Sequence, residues 1–142
     1  PLETVVREAL ARENAGDRVS IAVPAELMVM AEPDLLGRAL GNLVRNALRY
    51  AAEAGPITVS AAAEAGRVAI LVEDEGPGVP AADLDRLGEP FFRPELARTR
   101  ESGGVGLGLA IVRNSIAACG GEVRFANRTP RGFRAEVRLA AA

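Results

Sequence analysis

Apolar residues recur in this chain at two spacings, helical and alternating, and the order in which the two take turns limits the architecture more than any other feature. Leu2, Val5, Val6, Ala9 and Leu10 are spaced as one face of a helix, and Gly16 ends that segment. Val19, Ile21 and Val23 alternate as a strand, and residues 27–31 read as a second short one. Pro33 stands where a helix begins, and Leu36, Ala39, Leu40, Leu43, Ala47 and Leu48 give it a buried stripe as far as about Glu53. After the Gly55-Pro56 break, Ile57, Val59 and Ala61 alternate, as do Val68, Ile70 and Val72, with a hairpin turn expected at Gly66. Residues 75–106 are rich in Gly, Pro and charge and are expected to hold one short helix near 81–87 within otherwise irregular chain. Helical spacing returns over 107–119 and closes at Gly120-Gly121. Val123 and Phe125 open one more strand, and Phe133, Ala135, Val137 and Leu139 alternate in the last.

Strands arriving in pairs between helices predict a two-layer α/β sandwich: a mixed, mainly antiparallel sheet with helices on one face. A doubly wound parallel sheet would alternate strand and helix singly. At 142 residues, with 49% apolar and 25% charged side chains, residues 1–142 suffice for one domain whose core needs no disulfide or metal. The lone cysteine, Cys119, excludes an intrachain disulfide. A net charge of −2 gives no reason to expect nucleic-acid or direct membrane contact, and no apolar run is long enough for a span. There is no histidine, so imidazole acid–base chemistry and phosphorylation on His within this chain are excluded. There is no lysine either, so all 17 basic residues are arginine and any cationic contact to phosphate must come from arginine.

Four segments carry candidate chemistry. Asn42, Asn46, Arg49 and Tyr50 lie at i, i+4, i+7 and i+8, on one face of the central helix. An amide oxygen there suits Mg²⁺, although a solvated helix face would look the same. Asp74-Glu75-Gly76-Pro77-Gly78-Val79 follows an apolar strand directly. Its carboxylate can accept from an exocyclic amine while the glycines admit a planar ring, and equally it can be an ordinary Asp-Gly turn. Gly103 to Leu109 runs glycine-rich into a helix, an arrangement that aims bare N–H groups at an anion, but it lacks the Gly-Lys-Ser/Thr of a P-loop and the surrounding βαβ unit of a dinucleotide fold. Glu89-Pro90-Phe91-Phe92-Arg93 puts an aromatic pair in a charged loop, where the rings are expected to anchor the loop to the body.

In this order and spacing the four segments resemble the N, G1, F and G2 boxes of the histidine kinase catalytic domain, of the gyrase, Hsp90, histidine kinase and MutL superfamily. The resemblance runs from Leu2 to Leu139, and the stretch 100–112 is most similar to the Cpx-type envelope-stress sensors. It implies the Bergerat (GHKL) sandwich and ATP with Mg²⁺ as ligands. Asn46 would bind the metal, Arg49 and Arg93 would reach the phosphates, and Tyr50 would pack near the adenosine. Asp74 would accept from the adenine amine, with Gly76, Gly78 and Val79 lining the base pocket. Gly104, Val105, Gly106, Leu107 and Gly108 would lie along the triphosphate. A mobile lid is implied over about 93–104. The γ-phosphoryl would pass to a histidine on a separate dimerisation domain, and a response regulator would act downstream. The domain would be cytoplasmic and its parent would lie in a bacterial inner membrane. Pro1-Leu2 reads as a cut through a longer chain.

Two departures bear on activity. The family's last glycine motif usually reads Gly-Thr, whereas here it is Gly132-Phe133, so a water-mediated adenine contact from the hydroxyl is put in doubt and Phe133 is expected to fill the space. Gyrase-type ATPases carry a water-activating Glu four residues before the metal-binding Asn; that position is Asn42, and an amide is no general base. A kinase is therefore favoured over a GHKL ATPase. An anti-sigma-type serine kinase and a nucleotide-binding interaction module without phosphotransfer are the other readings of the same residues.

Overall fold

The computed structural model describes residues 1–13, 16–51, 55–87, 89 and 108–142. Helix α1 spans Leu2–Arg12, β1 Val19–Ala22, α2 Pro33–Ala51, β2 Ile57–Glu64 and β3 Arg67–Glu73. Helix α3 spans Gly108–Ala118, β4 Glu122–Asn127 and β5 Phe133–Ala140. The five strands form one sheet in the order β1-β2-β3-β5-β4. Only β1–β2 is parallel; the other pairings are antiparallel. This is the mixed sheet that the paired strands predicted.

Local chemistry explains the element boundaries. Glu32 caps α2 by accepting from the Leu35 N–H through Oε2 at 2.9 Å, one residue ahead of Pro33. The β2–β3 turn places Ala65 and Gly66 at φ 51° and 79°, the pair of left-handed conformations that a two-residue hairpin turn needs. Helix α3 ends in a Schellman motif: Gly121 N–H donates to Ile116 O and Gly120 N–H to Ala117 O, both at 2.9 Å, with Gly120 at φ 77°.

One expected strand is not formed. Residues 27–31 make a single bridge, Val29 to Ala141, flanked by Met30 N–H to Ala140 O and Ala142 N–H to Met28 O. The alternation there is real, but the segment meets only the extreme C-terminal end of β5, so no ladder can extend. The short helix expected near 81–87 is a 3₁₀ turn, Ala81–Arg86.

The helices cover one face of the sheet. Ile57, Val59, Val68, Ile70, Val72, Ala135, Val137 and Leu139 point into that layer and are almost fully buried. They meet Leu2, Val6, Leu36, Leu40, Val44, Val112 and Ile116 from the three helices. At roughly 1.5–3 kcal/mol per buried branched side chain, this layer is the main favourable term in the fold. The outer face is polar: Glu73 of β3 pairs with Arg134 of β5 at 2.9 Å, across the register that sets those residues opposite each other. Between α1 and α2, Glu13 takes a two-pronged contact from Arg45 at 2.9 and 2.8 Å. Among the described residues no helix is long and apolar enough to cross a membrane.

Candidate functional site

The strand-end carboxylate is the best-defined element of the site. Val72 is the last core residue of β3, and Asp74 follows just past the strand, only 5% exposed. Its Oδ1 accepts two backbone N–H groups, from Gly76 at 2.9 Å and from Phe133 at 3.1 Å. Its own N–H donates to Phe133 O at 3.0 Å, so β5 holds both its backbone and its side chain. The Gly76 bond is the turn contact of an ordinary Asp-Gly sequence, and that reading is met. Burial and the Phe133 bond go beyond what such a turn needs. Because both backbone donors fall on Oδ1, Oδ2 is the oxygen that can address a ligand. Burial pushes the Asp74 carboxyl above its usual range, while the two N–H donors and the Arg128 guanidinium pull the other way.

The β4–β5 turn holds the same loop from the other side. Asn127 accepts from Val79 N–H at 2.9 Å and donates to Val79 O at 2.7 Å. Arg128 donates to Asp74 O at 2.7 Å and lies 3.4 Å from the Glu73 carboxylate. Gly132, at φ 118°, packs against the same carbonyl; a Cβ there would lie 2.2 Å from Asp74 O. Gly78, at φ 72°, packs against Asn127, where a Cβ would lie 2.6 Å from Oδ1. Phe133 is 9% exposed and stacks on Phe125 at 5.8 Å between centroids, so it does fill space, as expected for its replacement of threonine. Arg113 of α3 lies over the Phe125 ring at 5.1 Å and donates to Leu87 O at 2.9 Å, which ties the 3₁₀ turn to the helix layer.

The other expected residues form a second grouping. Asn42 and Asn46 are half-buried on α2, and Arg49 is exposed. Asn42 donates from Nδ2 to Arg38 O at 2.9 Å, and its Oδ1 lies 3.5 Å from where a Cβ on Gly108 would stand. Gly108, the first described residue of α3, therefore abuts the polar edge of α2 at Asn42. The side chain of Tyr50 lies outside the described residues, as do Phe91, Phe92, Arg93, Gly104, Val105, Gly106, Leu107 and the expected lid.

Asn127 and Arg128 were not legible as site residues in the sequence. Both act on backbone atoms of a segment about fifty positions away, and no periodicity marks such a contact. The available cue is an Asn-Arg pair directly before a Pro- and Gly-containing turn.

Comparison with known proteins identifies the family. Residues 31–142 match the family described as histidine kinase-, DNA gyrase B-, and HSP90-like ATPase. The sensor-like histidine kinase SenX3 of Mycobacterium tuberculosis is 38% identical over 128 residues, 87% of this chain and 31% of that protein. The sensor histidine kinase CpxA of Escherichia coli is likewise 38% identical over 133 residues, 93% of this chain and 29% of that protein, in keeping with the Cpx-type likeness of the sequence. The chain thus spans about a third of the length of these relatives. The solved mycobacterial sensor histidine kinase MprB superposes with a TM-score of 0.83 at 26% identity, covering 99% of this chain and 95% of that one. A buried strand-end aspartate, a glycine loop clamped against the last hairpin and a helix packed beside an asparagine-bearing helix thus accompany a family match across most of the sequence, and the chain belongs to the histidine kinase-, DNA gyrase B-, and HSP90-like ATPase family, in its sensor histidine kinase branch.

Proposed function

We propose that this domain binds Mg·ATP and delivers the γ-phosphoryl group to a histidine carried on a separate dimerisation domain of a two-component sensor kinase. The observation that carries the reading is Asp74: a nearly buried carboxylate with one oxygen spent on two backbone donors and the other available to an exocyclic amine. Adenine offers such an amine. The loop backbone at Gly76 carries no side chain to obstruct a planar ring, whereas the bare side of Gly78 is taken up by Asn127.

The phosphate end would be served by α2 and the start of α3. Asn46 presents a hard amide oxygen, and among the described residues no group of three His, Cys, Asp or Glu forms an all-protein cage. Such a donor set suits Mg²⁺, which keeps few protein ligands and takes the rest from water and substrate phosphates. Bound there, the ion would supply charge neutralisation at the transferring phosphoryl group. Arg49, with Arg93 as the second cation, would orient the triphosphate for in-line attack. The nucleophile must come from another domain, since this chain has no histidine.

Transfer rather than hydrolysis follows from Asn42. Its amide donates into the helix backbone at Arg38 and offers no base to a water molecule. In the parent protein we place this domain on the cytoplasmic side of a bacterial inner membrane, with a response regulator as the downstream acceptor. The test is a mixing experiment. With radiolabelled ATP the isolated chain should acquire no stable label and should turn over far more slowly than about 1 s⁻¹. A histidine-bearing helical hairpin from the parent kinase, added in trans, should become labelled. Rapid turnover without an acceptor would refute the kinase reading in favour of an ATPase.

A further inference from the structure

Val79 is held by one side chain in a way that backbone usually holds backbone. Its N–H donates to Asn127 Oδ1 and its C=O accepts from Asn127 Nδ2, at 2.9 and 2.7 Å. A single amide thus completes both polar groups of one residue, as a facing peptide does in an antiparallel ladder. Aspartate has the acceptor but lacks the donor, and serine is too short to span both atoms. The partner segment is shaped to this amide. Gly78 at φ 72° leaves the room that Oδ1 occupies, and any Cβ there would lie 2.6 Å from it. Asn127 itself is exposed, so the contact is not needed to close the core. Asp74 is anchored independently, by the Gly76 and Phe133 N–H groups.

We infer that Asn127 is a positioning residue for the nucleotide base: it pins the Gly78-Val79 backbone to the β4–β5 turn and so fixes how closely that loop approaches the ring. The inference rests on the reading of this loop as the base pocket. It assigns to the last hairpin of the fold a part in base recognition that is exercised through Val79 and without direct contact. Such a pin acts on the base end of the ligand only. Its loss should weaken every adenine nucleotide by the same factor, whatever the number of phosphates.

The test uses Asn127→Ala and Asn127→Asp in the intact 142-residue chain, with ADP and ATP titrated calorimetrically and amide exchange followed by NMR. In Asn127→Ala the Val79 amide should lose protection while the Gly76 and Phe133 amides keep theirs. ADP and ATP affinities should fall together, by about tenfold. Asn127→Asp should also weaken both, because a carboxylate cannot donate to Val79 O. Unchanged affinities with an exposed Val79 amide would overturn the positioning role while leaving the base pocket standing. Loss of protection at Gly76 and Phe133 as well would overturn it in favour of a general structural role. Absence of ADP and ATP binding in the unsubstituted chain would refute the base pocket itself, and this inference with it.

Discussion

Gly132→Ala should be among the most damaging single-methyl additions in this domain, and the structure supplies the size of the effect. The new Cβ would lie 2.2 Å from Asp74 O, whereas carbon–oxygen contacts settle at about 3.3–3.6 Å, so the β3 and β5 ends must part by roughly 1 Å. The bonds joining Asp74 N–H to Phe133 O and Phe133 N–H to Asp74 Oδ1, now 3.0 and 3.1 Å, would stretch beyond useful length. Leaving such buried groups unpaired costs about 1–3 kcal/mol each. A side chain at φ 118° adds about 1–3 kcal/mol of backbone strain. Partial relaxation will recover some of this, so a net loss of about 3–5 kcal/mol is expected against a total stability of about 5–15 kcal/mol. Gly120→Ala provides the control. It shares a positive φ, 77°, but has nothing within 4 Å of the added Cβ, and should cost only about 1 kcal/mol. Urea denaturation of both variants measures the difference, and ADP titration below the transition reports on Asp74. Equal midpoints for the two would refute the claim that Gly132 is required by the close approach of Asp74 O.

Asp74→Asn should separate binding from stability. Its oxygen can still accept from Gly76 and Phe133 while its NH₂ faces the adenine amine, so ATP affinity should fall by about tenfold or more in calorimetry, with an unchanged or higher melting temperature because a buried charge is gone. The raised Asp74 pKa also fixes the sign of two pH effects. The folded state holds this proton more tightly than the unfolded chain, so the relative stability it contributes is full below the ordinary value of 3.8 and is lost as pH rises through the folded value. Adenine binding runs the opposite way, and ATP affinity should begin to fall on acidification at a higher pH than an ordinary carboxylate would give, a limb that Asp74→Asn should flatten. Glu13 behaves conversely: the Arg45 hydrogen bond lowers its pKa, so its contribution is present above the ordinary 4.5 and is lost as pH falls through the depressed value. Arg45→Ala should cost about 0.2–1 kcal/mol in urea denaturation at neutral pH and nothing once Glu13 is protonated.

Much of this was legible because the controlling signals were local. Alternation in Val68-Ile70-Val72 and Phe133-Ala135-Val137 located two of the interior strands, and Gly120-Gly121 marked the end of α3, because side-chain period and left-handed turns are written within a few residues. The stretch 27–31 misled because alternation reports a half-buried extended chain and not the presence of a partner to pair with. In the site, Asp74, Gly76 and Gly78 could be read as a unit since they share one turn. The roles of Asn127, Arg128 and Gly132 depend on which strands become neighbours. β5 joins β3 only through the sheet order, and that juxtaposition has no signature in either segment.

The order β1-β2-β3-β5-β4 also bears on how lineages of such a domain can diverge in length. Strand β3 pairs directly with β5, and that ladder sets the register that seats Asp74 beside Phe133. One residue added between Arg128 and Gly132 would disturb the contacts that both make with Asp74 O. Length variation among descendants of this sequence should therefore be purged from the β4–β5 connection.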